Sequence, residues 1–229
     1  MADTSWGRIP GVLIAPRRTF GAIAERPTAL VALVVATLLG AAVIYISFGK
    51  IAPQELLRSV EASGRTLPPE LDAVRLHRFS LWSTVIGVLL ASPLVTVVAA
   101  ALFIAGIRLG GGDLDYRRAL SVTVHGLLPL ALAGLLTLPV ILARESVGIE
   151  ELQGGTLLLS SLGAFAPEDA GPALTALLTS VDLFSIWSLA LLVLGFRIVA
   201  RVSRGAAAVA VGTVWVLGVL LKVGLAALR

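Results

Sequence analysis

The chain has 229 residues, of which 57% are hydrophobic and 14% are charged, and its net charge is +4. A soluble domain carries about 25% charged residues, so this composition excludes an ordinary soluble protein and predicts an integral membrane protein. The absence of cysteine excludes disulfides, thiolate metal sites and cysteine nucleophiles.

Residues 1–27 form an N-terminal tail without a long apolar run. A cleavable signal peptide is therefore not expected, and the first span should remain in the protein as a signal anchor. Four apolar side chains before Pro16 can share one helical face: Trp6, Ile9, Val12 and Leu13. Two interpretations remain open: the tail lies as an amphipathic helix on the cytoplasmic leaflet, or its apolar face packs under the bundle.

Five apolar segments follow the tail. A helix needs roughly 20 predominantly apolar residues to cross about 30 Å of hydrocarbon. The segments of this length lie at about 28–48, 81–107, 119–143, 180–200 and 205–228. They are continuous apolar runs without the alternation of membrane β-strands, so we predict an all-α polytopic bundle of five transmembrane helices over residues 28–229. A shorter piece at 156–166 is expected to be interfacial or re-entrant.

The loop at residues 50–80 carries structure of its own. It has an apolar stripe that includes Leu56, followed by helix breakers at Gly64, Pro68 and Pro69. We expect a small extracytoplasmic helical hairpin that covers one end of the bundle.

The distribution of basic residues predicts the orientation. With five spans, the tail and the loops after the second and fourth spans share one side, which carries ten arginines and four acids. The opposite side carries seven basic residues and nine acids. Short basic loops stay in the cytoplasm, so the N-terminus is expected inside and the C-terminus outside.

Ionisable groups inside a span are candidates for function, because burying them in hydrocarbon is costly. The rise of 1.5 Å per helical residue places Asp182 of the fourth span and Lys222 of the fifth near the outer interface. Our hypothesis is that these two side chains approach each other, directly or through water. The alternative is that Asp182 caps a helix end while Lys222 extends to the headgroups.

A second candidate is His125 in the third span. Pro129 and Pro139 of the same span, like Pro93 in the second, are expected to distort their helices and to free backbone carbonyls. A histidine beside such a helix suits a proton or ion path. The alternative is a buried histidine that donates to a neighbouring carbonyl.

The sequence contains no complete catalytic set. Residues 110–113 match the Gly-x-Gly-Asp of intramembrane aspartyl proteases, which need a second carboxylate beside the first. Asp113 and Asp182 are expected at opposite faces of the membrane, so we interpret the segment as a turn. No phosphate loop, metal-ligand cluster or Ser-His-Asp set is present. We therefore expect no enzyme activity, no metal and no cofactor.

Several of these landmarks together resemble the YIP family, whose eukaryotic members interact with Ypt/Rab GTPases. The similar elements are a P-x-x-x-F…P lead-in, a glycine-rich turn with Y/F-R-x-A-L, a G-x-x-P element and D-L-F-S-I-W. The residues at these family-motif positions are Pro16, Phe20, Pro27, Tyr116, Arg117, Gly126, Pro129, Asp182 and Trp187. They follow one another in the family's order over nearly the whole chain.

The resemblance implies a five-span fold without a defined activity. Because the chain lacks the long cytoplasmic N-terminal region of eukaryotic members, a Rab-type partner is not expected. The prokaryotic form of the motifs indicates the plasma (inner) membrane of a prokaryote.

Two functions are therefore weighed. The first is a non-enzymatic scaffold or membrane-organising factor. The second is a small transporter or channel that uses the polar groups of spans three to five. A polar cavity linking His125 to Asp182 would favour transport, and a packed interior would favour the scaffold. The expected partners are the lipid bilayer and a membrane protein or second copy of the chain, with no nucleic acid.

Overall fold

The computed structural model describes residues 4–62, 64, 72–154, 157–158, 160–167 and 169–228. Within these ranges the fold is all-helical, and the β-structure there is one isolated bridge between Ser161 and Asp182. The helices are α1 Arg8–Ile14, α2 Pro16–Glu25, α3 Leu30–Phe48, α4 Pro53–Ala62, α5 Ala73–Leu109, α6 Tyr116–Gly126, α7 Leu128–Leu142, α8 Ile149–Gly154, α9 Pro172–Leu178, α10 Leu183–Val199 and α11 Arg204–Ala227. A short 3₁₀ turn covers Leu162–Phe165.

Four helical stretches in the described ranges are long and apolar enough to cross a membrane: α3, α5, α11 and Tyr116–Leu142, which joins α6 to α7. The apolar helix α10 has 17 residues, or about 26 Å at 1.5 Å per residue, which is less than the usual span. The prediction of an all-α membrane bundle is confirmed, with four such helices and a shorter fifth candidate.

The helix starts differ from the predicted spans where a side chain caps the first turn. Asp72 accepts a hydrogen bond from the Arg75 amide, so α5 begins at Ala73 and includes the end of the predicted outer hairpin. Asp115 accepts from the Arg118 amide, so α6 begins at Tyr116. The predicted breakers at residues 68 and 69 lie outside the described residues.

The N-terminal tail is two helices that pack on the bundle. Ala15 leaves the helical conformation, with φ −136° and ψ 62°, and is followed by Pro16 at the start of α2, so the chain turns between α1 and α2. Val12, Phe20 and Ile23 are fully buried and belong to the same hydrophobic core as α6, α10 and α11. The tail is therefore part of the bundle's core.

Glycines bring α10 and α11 close to their neighbours. A Cβ on Gly195 of α10 would lie 2.7 Å from Val122 and 2.8 Å from the ring of Phe20. A Cβ on Gly106 of α5 would lie 3.0 Å from the Cβ of Ala210 in α11. Small residues at such crossings let helices approach closely in a membrane protein.

The three prolines that were predicted to distort their helices act differently. Pro129 lies in the first turn of α7, just after the boundary at Leu127 that separates α7 from α6. Helix α5 continues through Pro93, and α7 continues through Pro139. Among the three, only Pro129 marks a helix boundary.

The bundle has two ends, which we name by the ends of α11. At the Lys222 end, Leu56 of α4 and the preceding Ile51 pack against Leu76 of α5, and α8 lies beside them. There the Glu55 carboxylate accepts a hydrogen bond from the amide of residue 149 at 3.0 Å. The Arg204 end holds α1, α2 and the turn that precedes α6.

Candidate functional site

Asp182 caps the start of α10. Its Oδ1 accepts hydrogen bonds from the amides of Phe184 at 2.8 Å and Ser185 at 3.1 Å, and the Ser185 hydroxyl donates to Oδ2. The backbone on either side is held by residues 160–162, because the Leu183 amide donates to the carbonyl of residue 160 and the amide of residue 162 donates to Val181 O. The carboxylate is therefore held rigidly at the helix start.

Lys222 reaches the same turn from α11. Its Nζ donates to Thr179 Oγ1 at 3.0 Å and to Ser180 Oγ at 3.2 Å. These hydroxyls donate in turn to carbonyls at the end of α9, Thr175 O at 2.8 Å and Ala176 O at 2.6 Å. The ammonium group thus lies at a helix C-terminus, where the helix dipole favours a cation.

The structure brings Asp182 and Lys222 to one turn without joining them. Among the described ion pairs none links the two residues. Each has its own hydrogen-bond partners. Thr179 connects the two regions, because it bonds to Lys222 and lines the same cavity as Asp182. The structure shows Asp182 as a helix cap, which is the alternative arrangement stated above. Lys222 bonds to the hydroxyls of Thr179 and Ser180.

A cavity of about 490 Å³ lies between α3, α7 and residues 157, 158, 160 and 161 at the Lys222 end. Its walls are mainly apolar. Asp182 and Thr179 lie on its lining together with five hydroxyl-bearing residues: Ser47, Thr84, Thr137, Ser160 and Ser161. Ser161 Oγ is buried and has no hydrogen-bond partner within the described part of the chain. Such a lining suits a small polar or amphiphilic molecule.

His125 does not share this cavity. It is 1% exposed, and its Nδ1 lies 2.8 Å from Ser121 O of its own helix. This is the alternative stated above, a buried histidine bonded to a neighbouring carbonyl. Its Nε2 is buried without a partner among the described residues. The cavity that contains Asp182 is not lined by His125, so it does not form the predicted link between the two.

Arg8 is a buried residue that was not among the predicted site residues. It is 1% exposed. Its Nη1 donates to Arg26 O at 2.5 Å and to Thr28 Oγ1 at 2.7 Å, while Nη2 donates to Ala22 O at 3.3 Å. The guanidinium therefore binds the C-terminal end of α2 and the link to α3.

Arg118 of α6 binds the same helix end from another side. Its Nε donates to Ala24 O at 3.0 Å, and its Nη1 forms an ion pair with Asp115 at 2.8 Å. Two arginines, one from α1 and one from α6, thus hold the last carbonyls of α2. A helix C-terminus favours cations, so this arrangement stabilises the position of α2 on the bundle.

A signal for Arg8 was present in the sequence. Arg8 precedes Val12 by four residues and therefore lies on the apolar face of α1. A charged residue on an apolar helical face either interrupts that face or is buried with hydrogen-bond partners inside the protein.

Three of the remaining motif positions pack within the core. Phe20 lies against Gly195, and Trp187 packs on the core from a partly buried position. A Cβ on Gly126 would lie 2.6 Å from the Leu192 side chain, so the position requires a residue without a side chain unless Leu192 moves. These positions serve the packing of the helices.

The other motif positions lie toward the surface or in links. Pro27 lies in the link between α2 and α3. The Tyr116 hydroxyl donates to Val97 O at 3.4 Å, which connects α6 to α5. The Arg117 side chain is exposed at the Arg204 end.

Residues 110–113 form a turn, as interpreted from the sequence. Gly111 has a φ of +80°, which glycine adopts without strain, and Asp113 is exposed. Asp113 lies at the Arg204 end and Asp182 at the Lys222 end, so the two carboxylates do not meet. No group of three acidic, histidine or cysteine residues that could hold a metal occurs in the part of the chain that the structure describes.

Comparison with known families gives one result. A family model described as the Yip1 domain matches residues 11–225. The matched range begins inside α1 and ends inside α11, so it includes the apolar helices and most of the pair α1 and α2, which we call the N-terminal hairpin. No curated protein and no solved structure shows a significant match to the chain.

Proposed function

Because the chain belongs to the YIP family of membrane proteins, we propose that it is a non-enzymatic scaffold or membrane-organising factor with five spans. In this proposal α10 is the fourth of the five spans in chain order, the Arg204 end faces the cytoplasm, and the membrane is the plasma membrane of a prokaryote.

The observation that carries the proposal is the closed packing at the Arg204 end. Phe20 of the N-terminal hairpin is fully buried against Gly195 of α10 and near Val122 of α6. The cavity described above is lined instead by residues of the Lys222 end. A bundle closed on one side favours a protein that acts through its surfaces over one that conducts a solute.

The surface of the Arg204 end supports a membrane-organising role. Trp6 and Ile14 are 67% and 82% exposed, and Arg17 and Arg18 in the first turn of α2 are also exposed. Apolar side chains next to arginines suit contact with an anionic cytoplasmic leaflet. The proposed partners are this leaflet and a membrane protein or second copy of the chain.

The orientation has a direct test, because the chain contains no cysteine. We expect a cysteine replacing Asp113 to react with a membrane-impermeant maleimide only after intact cells are permeabilised. A cysteine replacing Leu228, which is 85% exposed beyond α11, should react without permeabilisation. Reaction of both from the same side would contradict the five-span topology, since α10 would then not cross.

Transport is the second candidate, supported by the 490 Å³ cavity that Asp182 lines. We expect liposomes containing the purified protein to show no more flux of ions or small metabolites than empty liposomes. Flux above that background that is lost in Asp182→Asn would overturn the scaffold proposal. Asp113→Asn is the matched control, because it removes one carboxylate from an exposed turn at the other end.

A further inference from the structure

A groove of about 850 Å³ lies between α5 and α11 on the Lys222 side of their close crossing. The two helices touch at Gly106 and Ala210. Beyond that contact, α10 forms the floor of the groove through residues such as Leu189 and Leu192.

The groove is apolar along its walls and has the length of one membrane leaflet. Its walls include Leu94 and Val98 on α5 and Trp215 on α11. The lining on α11 extends from Val211 to Lys222, which is about 16 Å at 1.5 Å per residue. Half of a hydrocarbon core of about 30 Å is about 15 Å. An acyl chain that enters from the leaflet at the Lys222 end therefore matches the groove in length and in polarity.

The Lys222 end of the groove is polar and positively charged. Lys222, Thr179 and Ser180 all line it. An ammonium group has three donors, and the hydroxyls of Thr179 and Ser180 accept two of them, which leaves one for a further acceptor. The nearby Asp182 carboxylate is bonded to the start of α10 instead.

The floor of the groove offers one more polar group. Ser188 is 3% exposed and lines the groove, and its Oγ has no hydrogen-bond partner among the described residues. A buried hydroxyl without a partner is costly, and an acceptor brought by a ligand would remove that cost.

We propose that this groove binds an anionic phospholipid, with one acyl chain between α5 and α11 and the phosphate accepting a hydrogen bond from Lys222. The charge of Lys222 favours a lipid with net negative charge over a zwitterionic lipid with the same chains. The site requires only that the protein is embedded in a bilayer, so it stands independently of the scaffold proposal.

The charge contribution is tested with the two lysines of the chain, Lys50 and Lys222. Native mass spectrometry of the full-length protein in detergent would compare binding of phosphatidylglycerol and phosphatidylcholine with identical acyl chains. We expect Lys222→Gln to weaken phosphatidylglycerol binding about tenfold, the loss of one charge-assisted hydrogen bond. Lys50→Gln removes the same charge outside the groove and should leave binding unchanged.

The acyl-chain contribution is tested with two glycines of α11. A Cβ on Gly218 or Gly224 meets no atom within 4 Å, so the structure accommodates a first side-chain atom at either position. Gly218 lines the groove, and Gly224 is not part of its lining. We expect Gly218→Leu to fill the groove and weaken binding of the anionic lipid about tenfold, and Gly224→Leu to bind like the unmodified protein.

Three results would overturn the proposal. The first is equal binding of the two lipids by the unmodified protein. The second is an equal loss in Lys50→Gln and Lys222→Gln. The third is a dimer in the mass spectrum that Gly218→Leu dissociates, because the groove would then hold a second copy of the chain.

Discussion

Replacing Arg8 by methionine is expected to lower the free energy of unfolding by about 2–4 kcal/mol. Methionine keeps much of the apolar stem but removes the donors to Arg26 O, Thr28 Oγ1 and Ala22 O. For a chain of this size the loss corresponds to a fall of about 4–16 °C in the melting temperature. Thermal unfolding of the purified protein in detergent measures it.

Arg17→Met is the matched control, because Arg17 is exposed in the same hairpin. Its effect should stay within about 0.5 kcal/mol, as for most surface substitutions. Arg8→Lys should fall between the two, since a single ammonium group cannot reproduce the planar fork of a guanidinium. Equal melting temperatures for Arg8→Met and Arg17→Met would show that the buried guanidinium contributes no net stability.

The apolar spans could be predicted because hydropathy is a property of consecutive residues. Helices α3 and α11 lie close to the predicted segments for this reason. The start of α5 could not be placed from hydropathy, because the cap at Asp72 lies upstream of the apolar run. A helix start at Asp182 was one of the two predicted alternatives, but the backbone hydrogen bonds that tie this turn to residues 160–162 could not be predicted, because those residues are distant in sequence.

The sequence predicted how far along their helices Asp182 and Lys222 lie, but not which side chains they contact. Counting residues along the helices placed Asp182 and Lys222 at the same end of the bundle, where the structure has them. The rotation of each helix about its axis is set by packing, which a single sequence does not reveal. For that reason the bonds of Lys222 to Thr179 and Ser180 could not be predicted.

The packing of the N-terminal tail could not be predicted from the sequence either. An apolar helical face looks the same whether it covers lipid or protein. Arg8 and Gly195 decide between these outcomes, since one binds the end of α2 and the other leaves room for the ring of Phe20. Both effects depend on contacts between segments far apart in the chain.

Truncating Phe20 to alanine is therefore expected to have the largest effect in the hairpin, a loss of about 3–5 kcal/mol. Phe20 is 0% exposed and fills the space above Gly195, so alanine leaves a cavity between α2, α6 and α10. Ile14→Ala is the matched control, because Ile14 is 82% exposed at the end of α1. Thermal unfolding in detergent should separate the two variants clearly. Similar melting temperatures would mean that the hairpin detaches from the bundle without cost, and the closed packing that supports the scaffold proposal would then be lost.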